Sequence, residues 1–301
     1  MAYLPLSTAN LPDPVIDPAQ GASPEDYFGI DIYTGNGGTI DSDFGFDCDL
    51  VWYKNRSRAN TYHYLFDQVR GDDLPLYSND TFSEDSQFPT YHTQSFITNG
   101  SRIVRTIGDH LNFSGDSYVA WAWKANGSGV TNTDGSITST VSANTTSGFS
   151  IVSYTGNSTG GATVGHGLSS APEMMIFKNR DRSADWHIYH ADLGATKNVK
   201  FTTAAEADQA GVFNDTEPTN SVFSLGTNSA LNASNEDIIA YCFHSVEGFS
   251  KFGSYVGNGS IDGPFVYCGF RPSFVMIKRT STSGANWYMT DDARYDTNRG
   301  Y

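Results

Sequence analysis

A run of four apolar residues closed by a lysine is written three times in this chain: Leu50-Val51-Trp52-Tyr53-Lys54, Met174-Met175-Ile176-Phe177-Lys178 and Phe274-Val275-Met276-Ile277-Lys278. Such a run is too short for a helix and too continuous for a strand with one wet face, so it predicts a central strand buried on both sides. An aromatic turn phrase precedes each copy: Tyr33-Thr34-Gly35-Asn36, Tyr154-Thr155-Gly156-Asn157 and Tyr255-Val256-Gly257-Asn258. The spacing from tyrosine to lysine changes by only a few residues between copies, as expected where loops vary and strand pairing does not. The chain is therefore an internal repeat of one strand-rich unit.

No stretch sustains a helical period, while Asn36-Gly37, Asn99-Gly100, Asn126-Gly127 and Asn258-Gly259 punctuate short strands throughout. The expected class is all-β, as tandem β-sandwich modules of the jelly-roll or lectin-like kind with an extended N-terminal arm. Module one spans 27–124 and closes on Tyr118-Val119-Ala120-Trp121-Ala122-Trp123. Residues 125–147 are rich in Gly, Ser, Thr and Asn and read as a linker, with a short hairpin at Asp134-Gly135. Module two spans 148–247 and repeats the closing phrase as Ile238-Ile239-Ala240-Tyr241-Cys242-Phe243.

Module three, 248–301, reuses the opening phrase and the buried run, and then has no counterpart of residues 201–243. Half a sandwich leaves apolar faces and strand edges bare, so the expectation is a polypeptide that continues past Tyr301, or a partner chain that supplies the missing strands. Residues 1–26 differ from all that follows. Their prolines fix φ and remove donors, so Leu4, Pro5, Leu6, Leu11, Pro12, Pro14, Val15 and Ile16 are expected to form an extended docking arm, the alternative being a terminus packed on its own module.

A net charge of −15 turns the phosphate attraction that drives nucleic-acid binding into repulsion, and makes anionic membranes equally poor partners. There is no long apolar span and no charged-then-apolar leader. The three cysteines, Cys48, Cys242 and Cys268, are odd in number and read as free thiols. Asp41, Asp43, Asp47 and Asp49 crowd one loop and suit a hard cation such as Ca²⁺, but without the glycine and terminal glutamate of an EF-hand. The favoured reading is a solvated acidic loop and no cofactor, with a bound cation as the alternative. In Trp186-His187-Ile188-Tyr189-His190 the period of two sets the histidines on opposite faces, which argues for a core strand with a solvent-facing histidine rather than a metal pair. Gly165-His166-Gly167-Leu168 reads as a tight loop without a nucleophile beside it.

Together with these phrases, Ser23-Pro24-Glu25-Asp26-Tyr27-Phe28, Lys178-Asn179-Arg180, Phe249-Ser250-Lys251-Phe252-Gly253-Ser254-Tyr255 and Gly263-Pro264-Phe265-Val266-Tyr267 resemble a family of tandem-repeat, tail-fibre-like virion proteins of marine tailed bacteriophages. The resemblance implies a non-enzymatic structural protein on the phage particle: a fibre, spike or capsid-surface appendage that takes part in host attachment. Its expected partners are other virion proteins, through the arm, further copies of itself as a trimer, and host surface glycan. The rival reading is a lectin-like protein or a host-polysaccharide depolymerase, which needs exposed aromatic platforms in the first case and two facing carboxylates in the second.

Overall fold

The computed structural model describes residue 16 and residues 22–84, 92–105, 111–202 and 204–294. The protein is almost entirely β. In the first repeat the strands are β1 (Phe28–Thr34), β2 (Thr39–Asp43), β3 (Leu50–Asn55), β4 (His63–Asp67), β5 (Leu76–Tyr77), β6 (His92–Ile97), β7 (Gly100–Arg105) and β8 (Ser117–Trp123). They form a large antiparallel sheet ordered β1-β8-β3-β4-β5, and a small sheet ordered β2-β7-β6. The core between them contains Phe44, Phe46, Tyr53, Phe66, Ile103 and Tyr118.

The second repeat holds β9 (Val130–Asn132), β10 (Ser139–Asn144), β11 (Phe149–Thr155), β12 (Ala162–Gly165), β13 (Met174–Asn179), β14 (His187–His190), β15 (Lys197–Lys200), β16 (Ala207–Asp208), β17 (Val222–Leu225) and β18 (Asp237–Phe243). Two one-turn helices, α1 (Ala210–Phe213) and α2 (Ser229–Asn232), lie between its later strands. The central order β11-β18-β13-β14-β15 reproduces β1-β8-β3-β4-β5 strand for strand. The register agrees too, with Phe28 opposite Trp123 and Phe149 opposite Phe243. The repeated apolar run is central in both sheets, and Tyr53 and Phe177 are completely buried, as a strand covered on both faces requires.

The hairpin expected at Asp134-Gly135 is present, but the segment around it is part of a sheet and not a free tether. Residues 125–147 carry β9 and β10, which pair as a hairpin and extend the sheet of the second repeat along β11. Small hydroxyl residues occupy this edge because Ser139 and Ser142 are buried beneath it, where Ser139 Oγ donates to the Gly165 carbonyl and Ser142 Oγ accepts from Asn126 N–H. A composition typical of a flexible tether is also that of a strand packed under close-lying loops.

Among the described residues the third repeat forms one hairpin, β19 (Phe274–Ile277) and β20 (Tyr288–Asp291). Residues 249–255, which match β11, form no strand. The hairpin packs Phe274, Met276, Trp287 and Met289 against a second core, built from one face of each large sheet. Alternation along β8 serves both cores: Val119 and Trp121 point to this shared core, and Tyr118, Ala120 and Ala122 to the core within repeat one.

Candidate functional site

The three repeats meet in the shared core, where Phe201 stands 5.6 Å from Trp52, 5.6 Å from Trp186 and 5.4 Å from Trp287 between ring centroids. One tryptophan comes from each repeat. Polar ties at the rim repeat as well. Trp186 Nε1 donates to the Tyr77 carbonyl of repeat one at 2.8 Å, and Trp287 Nε1 to the Lys200 carbonyl of repeat two at 2.8 Å. The repeated lysine closes the same seams: Lys178 Nζ donates to the carbonyls of Thr81 and Ala184, and Lys278 Nζ to those of Thr202 and Ala285. Burial draws Lys178 down to about 8, against the opposing pull of Asp185 and Asp80.

The seam between the first two repeats is tied by charge. Asp67 and Arg70 pair at 2.5 Å with both side chains shut off from water. Arg70 also meets Glu84 at 3.0 Å, and Glu84 in turn takes Arg180 of repeat two at 3.0 Å. Tyr241, from β18, donates its hydroxyl to Asp67 at 2.7 Å. Burial alone would raise the Glu84 pKa, but the hydrogen bond from Arg180 and the charges of Arg70 and Arg180 together hold it below its ordinary value. The same device recurs in repeat three, where Asp291 pairs with Arg294 at 2.6 Å and accepts from Trp121 Nε1 of repeat one at 3.0 Å.

The four clustered aspartates are each engaged separately. Asp41 binds Arg102 through both oxygens, Asp43 accepts from Gly45 N–H, and Asp47 accepts from Asn99 N–H. Asp49 accepts from Ala125 and Gly127 N–H, holding the chain where it passes from repeat one to repeat two. Among the described residues no group of three or more His, Cys, Asp or Glu converges as metal ligands would. Asp47 and Asp49 line an open cleft of about 700 Å³, which also takes in Phe96, Gln68 and Lys124. Of the expected docking arm only Ile16 is described, and it is buried; Leu4, Pro5, Leu6, Leu11, Pro12, Pro14 and Val15 lie outside the described residues. All three cysteines are free thiols, with Cys48 and Cys242 buried.

Of the two histidines of β14, His190 is the one that keeps contact with solvent, and His187 is enclosed. His187 is 3% exposed, with Nδ1 3.1 Å from Asn198 Oδ1 on the neighbouring strand β15. Burial first, and then the nearby Lys200, depress its pKa to about 4. Neutral His187 therefore supports the fold fully above the ordinary histidine value of about 6.5, and this support is lost as pH falls from there towards 4. The loss expected by pH 4.5 is about 2 to 3 kcal/mol. Urea denaturation between pH 7 and pH 4.5 should show that decline together with those of His63, His166 and His190, whose pKa values burial also lowers; His187→Gln should lessen it by its own share, and an equal decline in the variant would remove His187 as a source. His166 is also buried, with Nε2 3.0 Å from the Thr219 carbonyl and Nδ1 accepting from Leu168 N–H, so it braces its loop.

Fold and seam define an all-β protein of repeated antiparallel sheets fused through a common aromatic core. The chain belongs to the family described as a domain of unknown function (DUF7483), whose model matches residues 23–300. No curated protein and no solved structure matches it.

Proposed function

We propose that this protein is a non-enzymatic structural component of a bacteriophage virion, a fibre, spike or capsid-surface appendage that helps the particle adhere to its host. The observation that carries the reading is the seam: repeats joined by buried tryptophans, lysines and the Asp67–Arg70–Glu84–Arg180 web make one stiff body, which suits an appendage that must keep its shape in water. The acidic surface and the resemblance to tail-fibre-like proteins support the same reading. Residues 1–26 dock it to other virion proteins, and it assembles as a homotrimer matched to the symmetry of its mount.

Purified particles should contain this chain in fixed stoichiometry, with gold-labelled antibody decorating tail or capsid surface; its absence from particles would overturn the reading. Deletion of residues 1–25 should abolish incorporation while leaving the sheets folded, and unchanged incorporation would remove the arm's role. Light scattering should give the trimer mass, and a stable monomer would remove the oligomer. A glycan-binding or glycan-degrading protein is the second reading, favoured by the cleft beside Asp47 and Asp49 with Phe96 in its wall. A glycan array and a reducing-sugar assay on host polysaccharide separate the two: saturable binding without release fits adhesion, and release of sugar makes the protein an enzyme.

A further inference from the structure

Two kinds of contact between repeats are each made twice among the described residues, and they run in one rotational sense. The closing strand of repeat two reaches repeat one through Tyr241 and Asp67, and the closing strand of repeat one reaches repeat three through Trp121 and Asp291. By register, Asp67 opposite Leu50, His190 opposite Met174 and Asp291 opposite Phe274 are equivalent positions. The third member of the cycle would be a donor from the closing strand of repeat three aimed at half-buried His190, whose Nε2 has no partner among the described residues. Trp186 and Trp287 likewise hold carbonyls of the preceding repeat, whereas the residue at their position in repeat one, His63, is left against Lys54 at 2.7 Å.

The turn phrase leads to the same missing body. Tyr33 donates to the Leu111 carbonyl at 2.8 Å and Tyr154 to the Leu231 carbonyl at 2.9 Å. Asn36 N–H donates to Asn112 Oδ1 and Asn157 N–H to Asn232 Oδ1. The intervening glycine lies so close to that loop that a Cβ would fall 2.1 Å from the Phe113 carbonyl oxygen at Gly35, and 2.3 Å from that of Ala233 at Gly156, whereas a Cβ at Gly257 would meet no atom of the described residues beyond its chain neighbours within 4 Å. Tyr33 and Tyr154 are 9% and 3% exposed, whereas Tyr255 is 49% exposed, and further along the same repeat Phe265 is 90% and Tyr267 78% exposed. In both complete sheets the closing strand lies between the opening strand and the apolar run; in repeat three that edge of β19 is unpaired among the described residues.

We propose that residues 249–255, β19 and β20 form a docking site for one polypeptide segment, a closing half-repeat that carries a Leu-Asn pair followed by an aromatic strand like β8 and β18, and that its seating closes the three repeats into a ring. The strand completes the sheet by edge pairing with β19. Its Leu carbonyl takes the Tyr255 hydroxyl, its Asn caps the Asn258 amide, and a Tyr or Trp on the strand donates to His190.

A synthetic peptide of residues 225–246 serves as probe, added to the intact chain and followed by hydrogen exchange with mass spectrometry. Saturable binding should slow exchange of the β19 amides at least tenfold, and the peptide variants Asn232→Ala and Tyr241→Phe should each bind about tenfold more weakly. As a second route independent of peptide solubility, a chain extended by residues 201–247 after residue 301 should have Tyr255 as resistant to nitration as Tyr154. If neither route protects β19 and Tyr255, the proposal is wrong. Protection that instead rises with the concentration of the unextended protein alone would make a second copy the occupant and also overturn it.

Discussion

Replacing Asp67 by alanine is expected to destabilise the protein by about 3 to 5 kcal/mol, because it strands a guanidinium that water cannot reach. Arg70 has no exposed side-chain surface; its remaining partners, Glu84 and the Leu65 and Leu74 carbonyls, were placed to share it with Asp67. The Tyr241 hydroxyl loses its acceptor in the same step. Urea denaturation followed by circular dichroism measures the cost. Combining Asp67→Ala with Arg70→Met should return a large part of it, since a buried pair replaced by apolar atoms is often close to neutral whereas half a pair is not. A single variant within 1 kcal/mol of the parent would show that Glu84 and the carbonyls suffice for Arg70.

Trp121→Ala should cost about 3 to 5 kcal/mol by opening a large cavity where repeats one and three meet. Trp121 is completely buried, packs edge-on to Trp52 at 6.1 Å and to Phe274 at 5.8 Å, and lies under the Arg294 guanidinium at 5.2 Å. Trp121→Phe keeps part of the apolar area but removes the Nε1–Asp291 hydrogen bond and one ring of buried volume, so a smaller loss of about 1 to 3 kcal/mol is expected. The alanine variant should also release the third-repeat hairpin, seen as faster amide exchange across Phe274–Ile277 with β3 unchanged. Equal acceleration in β3 and β19 would mean that the hairpin is not held by this contact.

The buried strands could be read in the sequence because their apolar runs leave only one class of neighbour, and the turn phrase because it recurs. Its mechanism could not be read: that Gly35 and Gly156 are glycines for want of room under the Phe113 and Ala233 carbonyls depends on a loop far along the chain. Asp67 and Arg70 were missed although Asp291 and Arg294 repeat the same spacing. Their signal emerges only once β4 and β20 are aligned by register, because the intervening sequence differs. The hairpin at Asp134-Gly135 could be read from its turn, but its pairing along β11 was hidden by composition, since small hydroxyl residues suit both a tether in water and a strand packed beneath a loop. Periodicity set His187 and His190 on opposite faces of β14, and which of the two is enclosed depends on packing from distant parts of the chain.

Because one phenylalanine is contacted by a tryptophan from each of three repeats, the units cannot drift apart in sequence as beads on a string can. A change of side-chain volume in one copy is felt by the other two, so tolerated substitutions should arrive in compensating sets, with double variants across the seams departing from additivity by 0.5 to 3 kcal/mol as is usual for residues in contact. Gene duplication can lengthen a linear array by one unit at little cost. A unit inserted here would have to find a place around a centre already shared, so selection should hold the number of copies fixed while leaving the loops remote from that centre free to change.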